Sequence, residues 1–121
     1  MTVRGIRGAT TISSDNVEEV LAATKELLEH IQHTNLFAPE AIASILFTVT
    51  SDIRSAFPAR AARLMGWDLV PLLCFQEIEV AGSLPLCIRV LILLNTDRRQ
   101  DQIQHVYLRD ADSLRRDLKP K

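Results

Sequence analysis

The sequence predicts an α+β fold in which helices pack against a β-sheet, and three stretches carry that prediction. Residues 72–80 and 86–96 are predominantly apolar and flank a short segment that contains Gly82 and Pro85, which indicates a strand, a loop and a second strand. Residues 15–33 repeat apolar side chains at helical spacing with charged side chains between them. We therefore expect an amphipathic helix that covers one side of the sheet.

The first predicted strand spans residues 3–12, and two glycines interrupt its rows of side chains. A glycine inside a strand often marks close approach by another backbone or by a ligand, so Gly5 and Gly8 are candidates for such contacts, although a simple bulge is also compatible with them. Arg7 lies between the two glycines. Both Arg4 and Arg7 have an alternative role as ordinary solvated surface residues.

The long helix is expected to begin after Asp15, which serves as N-cap and forms a capping-box pair with Glu18. It should end near His33, and both His30 and His33 are expected in solvent. The predicted buried stripe consists of Val17, Leu21, Thr24, Leu28 and Ile31.

The middle of the chain predicts a short helix, a strand and a compact helix. Pro39 suits the first position of a helical turn. Residues 45–50 carry enough β-branched side chains for a strand, with helix as the competing interpretation. Residues 57–66 predict a helix with Pro58 at its start and Gly66 at its end.

The C-terminal quarter predicts a loop over 95–102, a short strand over 103–108 and a helical turn over 110–114. From about residue 114 to the end the chain is polar, and we expect a mobile tail there. The whole of 1–121 is expected to be one domain, without repeats or linkers.

Composition excludes several classes of function. The 121 residues carry a formal net charge of -1 and no basic stripe, so neither nucleic acid nor a membrane is expected as a partner. No leader-like or membrane-spanning run is present, and Cys74 and Cys87 lack metal-site or disulfide spacing, so the cytoplasm is the expected location. Apolar residues make up 47%, which favours either a homo-oligomer or simply a core rich in alanine and leucine.

Arg89 stands out because it lies in the middle of the apolar run 86–94, which is typical of a strand covered on both faces. A guanidinium stays charged in proteins and needs anionic or hydrogen-bonding partners when it is buried. Two partners are open: Glu77 on what we expect to be the neighbouring strand, or an anionic ligand.

The familiar catalytic motifs are missing from the sequence. There is no glycine-rich phosphate loop, nucleophile elbow or zinc-protease motif, and neither a metal nor a cofactor is implied. Several arginines remain beside one carboxylate and one tyrosine, which suits a site that binds a small polyanion and acts by positioning and electrostatics. Arg60 and Arg63 share one helical face that is either solvated or borders such a site.

Five segments together resemble one enzyme family. They are RGIRGAT at 4–10, FPARAAR at 57–63, VPLLCFQE at 70–77, CIRV at 87–90 and DQIQHVYL at 101–108. In order and spacing they resemble the monofunctional chorismate mutases of the trimeric pseudo-α/β-barrel class, over essentially the whole chain. The resemblance implies the rearrangement of chorismate to prephenate, a mixed sheet backed by helices, and a homotrimer with active sites between adjacent subunits.

The resemblance also implies roles for individual residues. Arg89 is expected near the ether oxygen whose bond breaks, and Glu77 is expected to accept a hydrogen bond from the ring hydroxyl. Arg7 and Tyr107 match the positions that hold the side-chain carboxylate of the substrate.

Further residues are expected around the substrate as a wall or as a source of positive potential. The wall comprises Phe57, Leu72, Leu73 and Cys74, and the cationic residues are Arg60, Arg63 and Arg115. The family often has lysine where this chain has Arg60, and Cys74 is expected to be a packing contact rather than a nucleophile.

Two other functions remain open from the sequence. A related trimeric barrel could bind or process another small anionic metabolite, in which case Glu77 would not be required. A non-catalytic interaction module would use its arginines only in ion pairs at subunit contacts.

Overall fold

The structure, a computed structural model, describes residues 1–118 and the side chains as far as Leu114. The strands are β1 (Thr2–Thr11), β2 (Ile42–Val49), β3 (Leu72–Gln76), β4 (Cys87–Thr96) and β5 (Val106–Tyr107), and the α-helices are α1 (Val17–Asn35) and α2 (Ala59–Leu64). Short 3-10 helices span Pro39–Ala41, Gln100–Gln102 and Arg109–Leu118. Among residues 1–118, no helix is long and apolar enough to cross a membrane.

The five strands form one mixed sheet in the order β3-β2-β4-β1-β5. The central strand β4 runs antiparallel to both β1 and β2, whereas β3 and β5 pair in parallel with β2 and β1. Together with the helices on the sheet, this arrangement confirms the predicted α+β class. The strand interpretation of the segment around residues 45–50 is also confirmed, and it extends back to Ile42.

The prediction that β3 and β4 are neighbours is wrong, because β2 lies between them. The strand predicted over 72–80 also ends at Gln76, so Glu77 follows the strand rather than lying within it. The ten residues between β3 and β4 are long enough for the chain to pass over β2. Strands that are adjacent in sequence often form a hairpin, but the local pattern does not show that β2 lies between β3 and β4.

Helix α1 begins one residue later than expected. Its N-cap is Asn16, whose side chain accepts the backbone N–H of Glu19, so the assignment of Asp15 and Glu18 as a capping pair is wrong. The Asp15 carboxylate instead accepts the backbone N–H groups of Arg54 and Ser55. Asp15 is therefore used by a contact far away in sequence, and the adjacent Asn16 caps the helix in its place.

The buried stripe of α1 is shifted relative to the prediction. Its buried residues are Val20, Ala23, Thr24, Leu27, Leu28, Ile31 and Asn35. Val17 is exposed and Leu21 is only half-buried. The helix continues to Asn35 rather than ending near His33, and His30 and His33 are exposed as expected.

Both α-helices of the described residues pack on one side of the sheet, whereas on the other side the last 3-10 segment covers only the end around Ala9 and Cys87, through Ala111. On the helix-covered side, alternate residues of β4 such as Val90 and Ile92 are buried in a core with Phe47 and Leu28. On the opposite side, Leu91 and Leu93 are half-buried. The expectation that β4 is covered on both faces is therefore wrong for a single chain, and we call the uncovered side the open face.

Gly8 lies at a close approach, which is one of the two alternatives that the sequence leaves open for the strand glycines. A Cβ atom at this position would lie 2.7 Å from the Ile31 Cδ1 atom and 3.0 Å from the Val90 Cγ1 atom. Because a methyl group cannot occupy that space, the glycine lets α1 pack directly on the middle of β1. The approach comes from the protein itself and not from a ligand.

Two helix-boundary predictions in the middle of the chain hold. Pro39 is the first residue of its 3-10 turn. Pro58 immediately precedes α2, and Gly66 follows it with φ of +86°, a left-handed conformation that favours glycine.

Several boundaries after β4 differ from the prediction. The loop predicted from residue 95 begins later because β4 continues to Thr96. The predicted strand over 103–108 is reduced to the two residues of β5, and the helical turn predicted over 110–114 belongs to the longer 3-10 segment. The expected mobile tail and the Arg115 side chain lie outside the residues described in full.

Candidate active site

The candidate site lies on the open face and is assembled by strand register. Thr48 of β2 pairs with Arg89 of β4, which pairs with Ala9 of β1, which pairs with Tyr107 of β5. Residues that pair directly across strands point to the same side of a sheet. Four strands that are far apart in sequence therefore contribute to one row of side chains.

A cleft of about 310 Å³ follows this row on the open face. Four of the predicted site residues line it, namely Arg7, Glu77, Arg89 and Tyr107. Its remaining lining residues are Gly8, Ala9, Leu46, Thr48, Phe75, Val90 and Leu91. The cleft thus combines two guanidinium groups, one carboxylate and one phenol with an apolar floor, the composition expected of a small-anion site.

Arg89 and Glu77 form an ion pair with poor hydrogen-bond geometry. The Arg89 Nε atom lies 3.7 Å from the Glu77 Oε2 atom, and the two side chains are 43% and 30% exposed. Such a loose, partly solvated pair contributes about 0–1 kcal/mol to stability. A purely structural salt bridge therefore gives little reason for an arginine at this position.

Glu77 has a much closer partner in Thr48. The Thr48 hydroxyl donates to the Glu77 Oε2 atom at 2.6 Å, and the backbone N–H of Glu77 donates to the Val49 carbonyl at 2.8 Å. Glu77 is therefore fixed at both its backbone and its carboxylate. The Arg89 Nε atom is inaccessible to solvent and has no hydrogen-bond partner within residues 1–118.

Arg7 is held through its backbone by His105. Its N–H donates to the His105 Nδ1 atom at 2.9 Å, and its side chain extends from the exposed side of β1. Burial lowers the pKa of His105 below its usual 6.5, and the nearby Arg7 charge lowers it further. The neutral imidazole is the form that can accept this hydrogen bond.

This geometry predicts that His105 makes the fold less stable in acid. Because its pKa is lower in the folded state, the unfolded chain binds more protons, and the free energy of unfolding should decrease as the pH falls through about 6.5. His105→Asn keeps an oxygen that can accept the Arg7 N–H but does not titrate. Urea unfolding at several pH values should therefore show a smaller decrease for the variant than for the wild type, and equal decreases would contradict the assignment.

A second group of predicted residues lies in another cleft, at the β3 edge of the sheet. Phe57 and Cys74 line this cleft of about 350 Å³ together with Pro58 and Phe75. Phe75 also lines the first cleft, so the edge strand β3 borders both. Cys74 pairs directly with the buried Phe47 of β2, which places it on the helix-covered side.

Arg60 and Arg63 are exposed on α2. Burial raises the pKa of the Cys74 thiol, whereas the Ala59 N–H and the Arg63 charge act in the opposite direction. Cys74 is thus protonated at neutral pH, which agrees with a packing role. Its sensitivity to Arg63 also places that arginine close to this second cleft.

The other two predicted wall residues differ in their surroundings. Leu72 packs against the main core of its own chain, whereas Leu73 is 58% exposed on the open face. Neither lines the cleft around Arg89. The structure therefore brings four of the predicted site residues together in the first cleft and places Phe57 and Cys74 in the second.

Thr48, Phe75 and Leu46 line the first cleft but were missed in the sequence. Nothing in the local pattern distinguishes them from ordinary strand residues. Their proximity to Arg89 depends on the insertion of β2 between β3 and β4, and the sequence gives no signal for that order.

Comparison with known proteins identifies the family. The family described as chorismate mutase type I matches residues 3–118. This chain belongs to the type I chorismate mutase family. It is therefore an isomerase whose substrate is chorismate, and the alternatives of another metabolite or of a non-catalytic module are not favoured.

Individual relatives support the same family assignment over nearly the full length. The chain is 50% identical over 119 residues to chorismate mutase AroH of Bacillus subtilis (strain 168), covering 98% of this chain and 94% of the relative. It is 53% identical over 117 residues to chorismate mutase AroH of Thermus thermophilus, covering 96% of each. The solved structure of a chorismate mutase from Clostridium thermocellum matches with a TM-score of 0.89 and 48% identity, over 90% of this chain and 97% of the other.

Proposed function

We propose that chorismate binds in the cleft formed by Arg7, Glu77, Arg89 and Tyr107 and rearranges there to prephenate. The observation that carries this proposal is the convergence of these four side chains on one small cleft of a type I chorismate mutase. They come from three strands and the segment just after a fourth. Each was also expected at the substrate on grounds of sequence resemblance.

The proposed division of roles follows the charges of the substrate. Arg89 donates to the ether oxygen, on which negative charge grows as the C–O bond breaks, and also approaches a carboxylate. Arg7 and Tyr107 hold the side-chain carboxylate, and Glu77 accepts a hydrogen bond from the ring hydroxyl. The Arg89 side chain is 43% exposed and only loosely paired with Glu77, which supports a role for its guanidinium as a donor to a ligand in the cleft.

None of these proposed roles is that of a nucleophile, which agrees with the chemistry of the reaction. The rearrangement is pericyclic, so a C–C bond forms and a C–O bond breaks within one molecule without a base or a covalent intermediate. The protein has to select the compact diaxial conformer and stabilise the developing charge. A preorganised donor supplies the second effect better than water does, because it needs no reorganisation during the reaction.

We further propose that the complete site forms between subunits of a homotrimer. Within one chain, the cleft around Arg89 lies on the open face, while Cys74 lies on the helix-covered side. A single small molecule cannot touch both groups unless an adjacent subunit presents its β3 edge to the open face. In that arrangement, Phe57, Arg60, Arg63 and Cys74 would reach the substrate from the neighbour.

The exposed apolar residues around β3 support the same assembly. Phe75 is 48% exposed, and Ile78 and Val80 just beyond the strand are 80% and 62% exposed. An edge strand with such side chains is prone to association unless another surface covers it. If this edge packed on the half-buried leucines of the open face, both apolar surfaces would be removed from water.

Two further proposals concern Arg115 and the location of the protein. We place Arg115 near the mouth of the site. The cytoplasm is the proposed location because Cys74 and Cys87 are both free thiols.

The direct test is an assay of the purified protein with chorismate. We expect loss of the ultraviolet absorbance of chorismate with prephenate as the product, and sedimentation should report a trimer. A folded trimer that leaves chorismate unchanged would contradict the proposed function and would direct the search to other small anions.

A further inference from the structure

We propose that Thr48 is a positioning residue that holds the Glu77 carboxylate away from Arg89. This inference rests on the proposed function, because it explains how the donor and the acceptor of the same cleft avoid neutralising each other. Without such a device, a carboxylate and a guanidinium at the edge of contact would form a charge-assisted hydrogen bond. That bond would compete with the substrate for both groups.

The three side chains have the geometry that this role requires. Thr48 donates to the Glu77 Oε2 atom at 2.6 Å, a short hydrogen bond to a carboxylate. The same oxygen stays 3.7 Å from the Arg89 Nε atom, which is beyond hydrogen-bond distance. The Nε atom is shielded from water and finds no other partner in the described part of the chain.

Strand pairing places Thr48 beside Arg89 on the open face, next to the end of the strand that leads to Glu77. Thr48 is the direct cross-strand partner of Arg89 on one side and of Phe75 on the other. The Glu77 backbone is anchored to Val49, the residue after Thr48, so only the side-chain torsions of Glu77 are free to reorient. A shift of the carboxylate by less than about 1 Å would bring it within hydrogen-bond distance of Nε.

A direct hydrogen bond between Glu77 and Arg89 would impair catalysis more than it would impair substrate binding. A paired guanidinium offers less positive potential to an ether oxygen whose negative charge grows only in the transition state. The paired carboxylate would also be turned away from the ring hydroxyl. The carboxylate-binding groups Arg7 and Tyr107 lie outside the Thr48 contact, so affinity for the ground state should be less affected.

Thr48→Val and Thr48→Ser test the role of the hydroxyl. Valine keeps the shape of the side chain but cannot donate, and we expect kcat to fall by roughly 10- to 100-fold, with a smaller change in KM. Serine restores the donor, so its kcat should stay within about threefold of the wild type. Full activity in Thr48→Val, or equal losses in both variants, would overturn the proposal.

Thr10→Val is a control for the loss of a threonine hydroxyl from the sheet outside the cleft. Thr10 is fully buried on β1, and its hydroxyl finds no hydrogen-bond partner among residues 1–118. We expect this variant to keep the wild-type kcat. A loss comparable to that of Thr48→Val would show that general changes in the sheet, and not the Glu77 contact, explain the effect.

A double-mutant cycle with Glu77→Gln separates positioning from simple structural damage. If Thr48 acts through Glu77, Thr48→Val should reduce kcat by less than about threefold in the Glu77→Gln background. Independent effects that multiply in the double variant would contradict the proposed coupling.

A crystal structure of Thr48→Val gives a readout that does not depend on activity. We expect the Glu77 carboxylate to approach the Arg89 Nε atom to about 3 Å. An unchanged separation would overturn the inference even if the enzyme is an active mutase. If the wild type fails to convert chorismate, the proposed function falls while this structure still decides whether Thr48 controls the pair.

Discussion

Arg89→Lys is expected to reduce kcat by a factor of about a hundred to a thousand while the protein remains folded. Lysine keeps the positive charge but loses the planar fork of donors that a guanidinium offers. Removal of one preorganised donor to a developing oxyanion costs about 3–4 kcal/mol of transition-state stabilisation, which corresponds to this factor. Steady-state kinetics with chorismate would measure the loss, and Arg89→Ala should lose at least as much.

The stability of the same variants distinguishes a catalytic from a structural arginine. Because the ion pair of Arg89 with Glu77 is long and partly solvated, its removal should change the free energy of unfolding by only about 1 kcal/mol or less. The proposed homotrimer should also persist. If Arg89→Ala instead unfolds or dissociates while residual protein keeps normal turnover, Arg89 has a structural role.

Arg99 provides a matched control for this experiment. Its Nε atom lies 3.1 Å from the Asp101 Oδ1 atom, closer than the corresponding contact of Arg89, but both side chains are well exposed and outside the cleft. Arg99→Ala therefore removes a better-formed ion pair away from the proposed chemistry. Its kcat should equal that of the wild type.

The sequence predicts the secondary structure well where local chemistry decides it. The long helix follows from its apolar period, and α2 follows from Pro58 and Gly66 at its ends. The N-cap was misplaced because Asp15 is used by a contact with Arg54 that lies far away in sequence. Strand order was also misjudged, since the segment between β3 and β4 is compatible with either a hairpin or a crossing of β2.

The site is predictable only in part, for a related physical reason. Arg89 attracts notice because a charged residue within an apolar strand needs an explanation. Thr48 does not stand out in the sequence, because a threonine is an ordinary strand residue. Its proposed role depends entirely on the strand register that pairs it with Arg89. The separation of Cys74 from Arg89 likewise depends on which side of the sheet each faces, and a strand must be placed before that is known.

The proposed homotrimer leads to the second prediction with a large effect, which is that activity should return when two inactive variants are combined in mixed trimers. One variant is Arg89→Ala, which disables the cleft on the open face. The other carries both Arg60→Ala and Arg63→Ala, which removes the two exposed arginines of α2, the helix that follows Phe57 and Pro58 of the second cleft. We propose that each site combines the open face of one subunit with the β3 edge of the next. In a mixed trimer, some sites then combine the open face of an Arg60→Ala/Arg63→Ala subunit with the β3 edge of an Arg89→Ala subunit, and these sites contain none of the substitutions.

The expected recovery and its control follow from the geometry of a cyclic trimer. After co-unfolding and refolding of equal amounts, about a quarter of the sites should be intact, so the mixture should recover about a quarter of the wild-type kcat. Mixing Arg89→Ala with Arg7→Ala should recover nothing, because both residues line the same cleft of one chain and no subunit then has that cleft intact. Sites built within single chains would give no recovery in either mixture, and recovery in the Arg7 control would show that Arg7 and Arg89 act from different subunits.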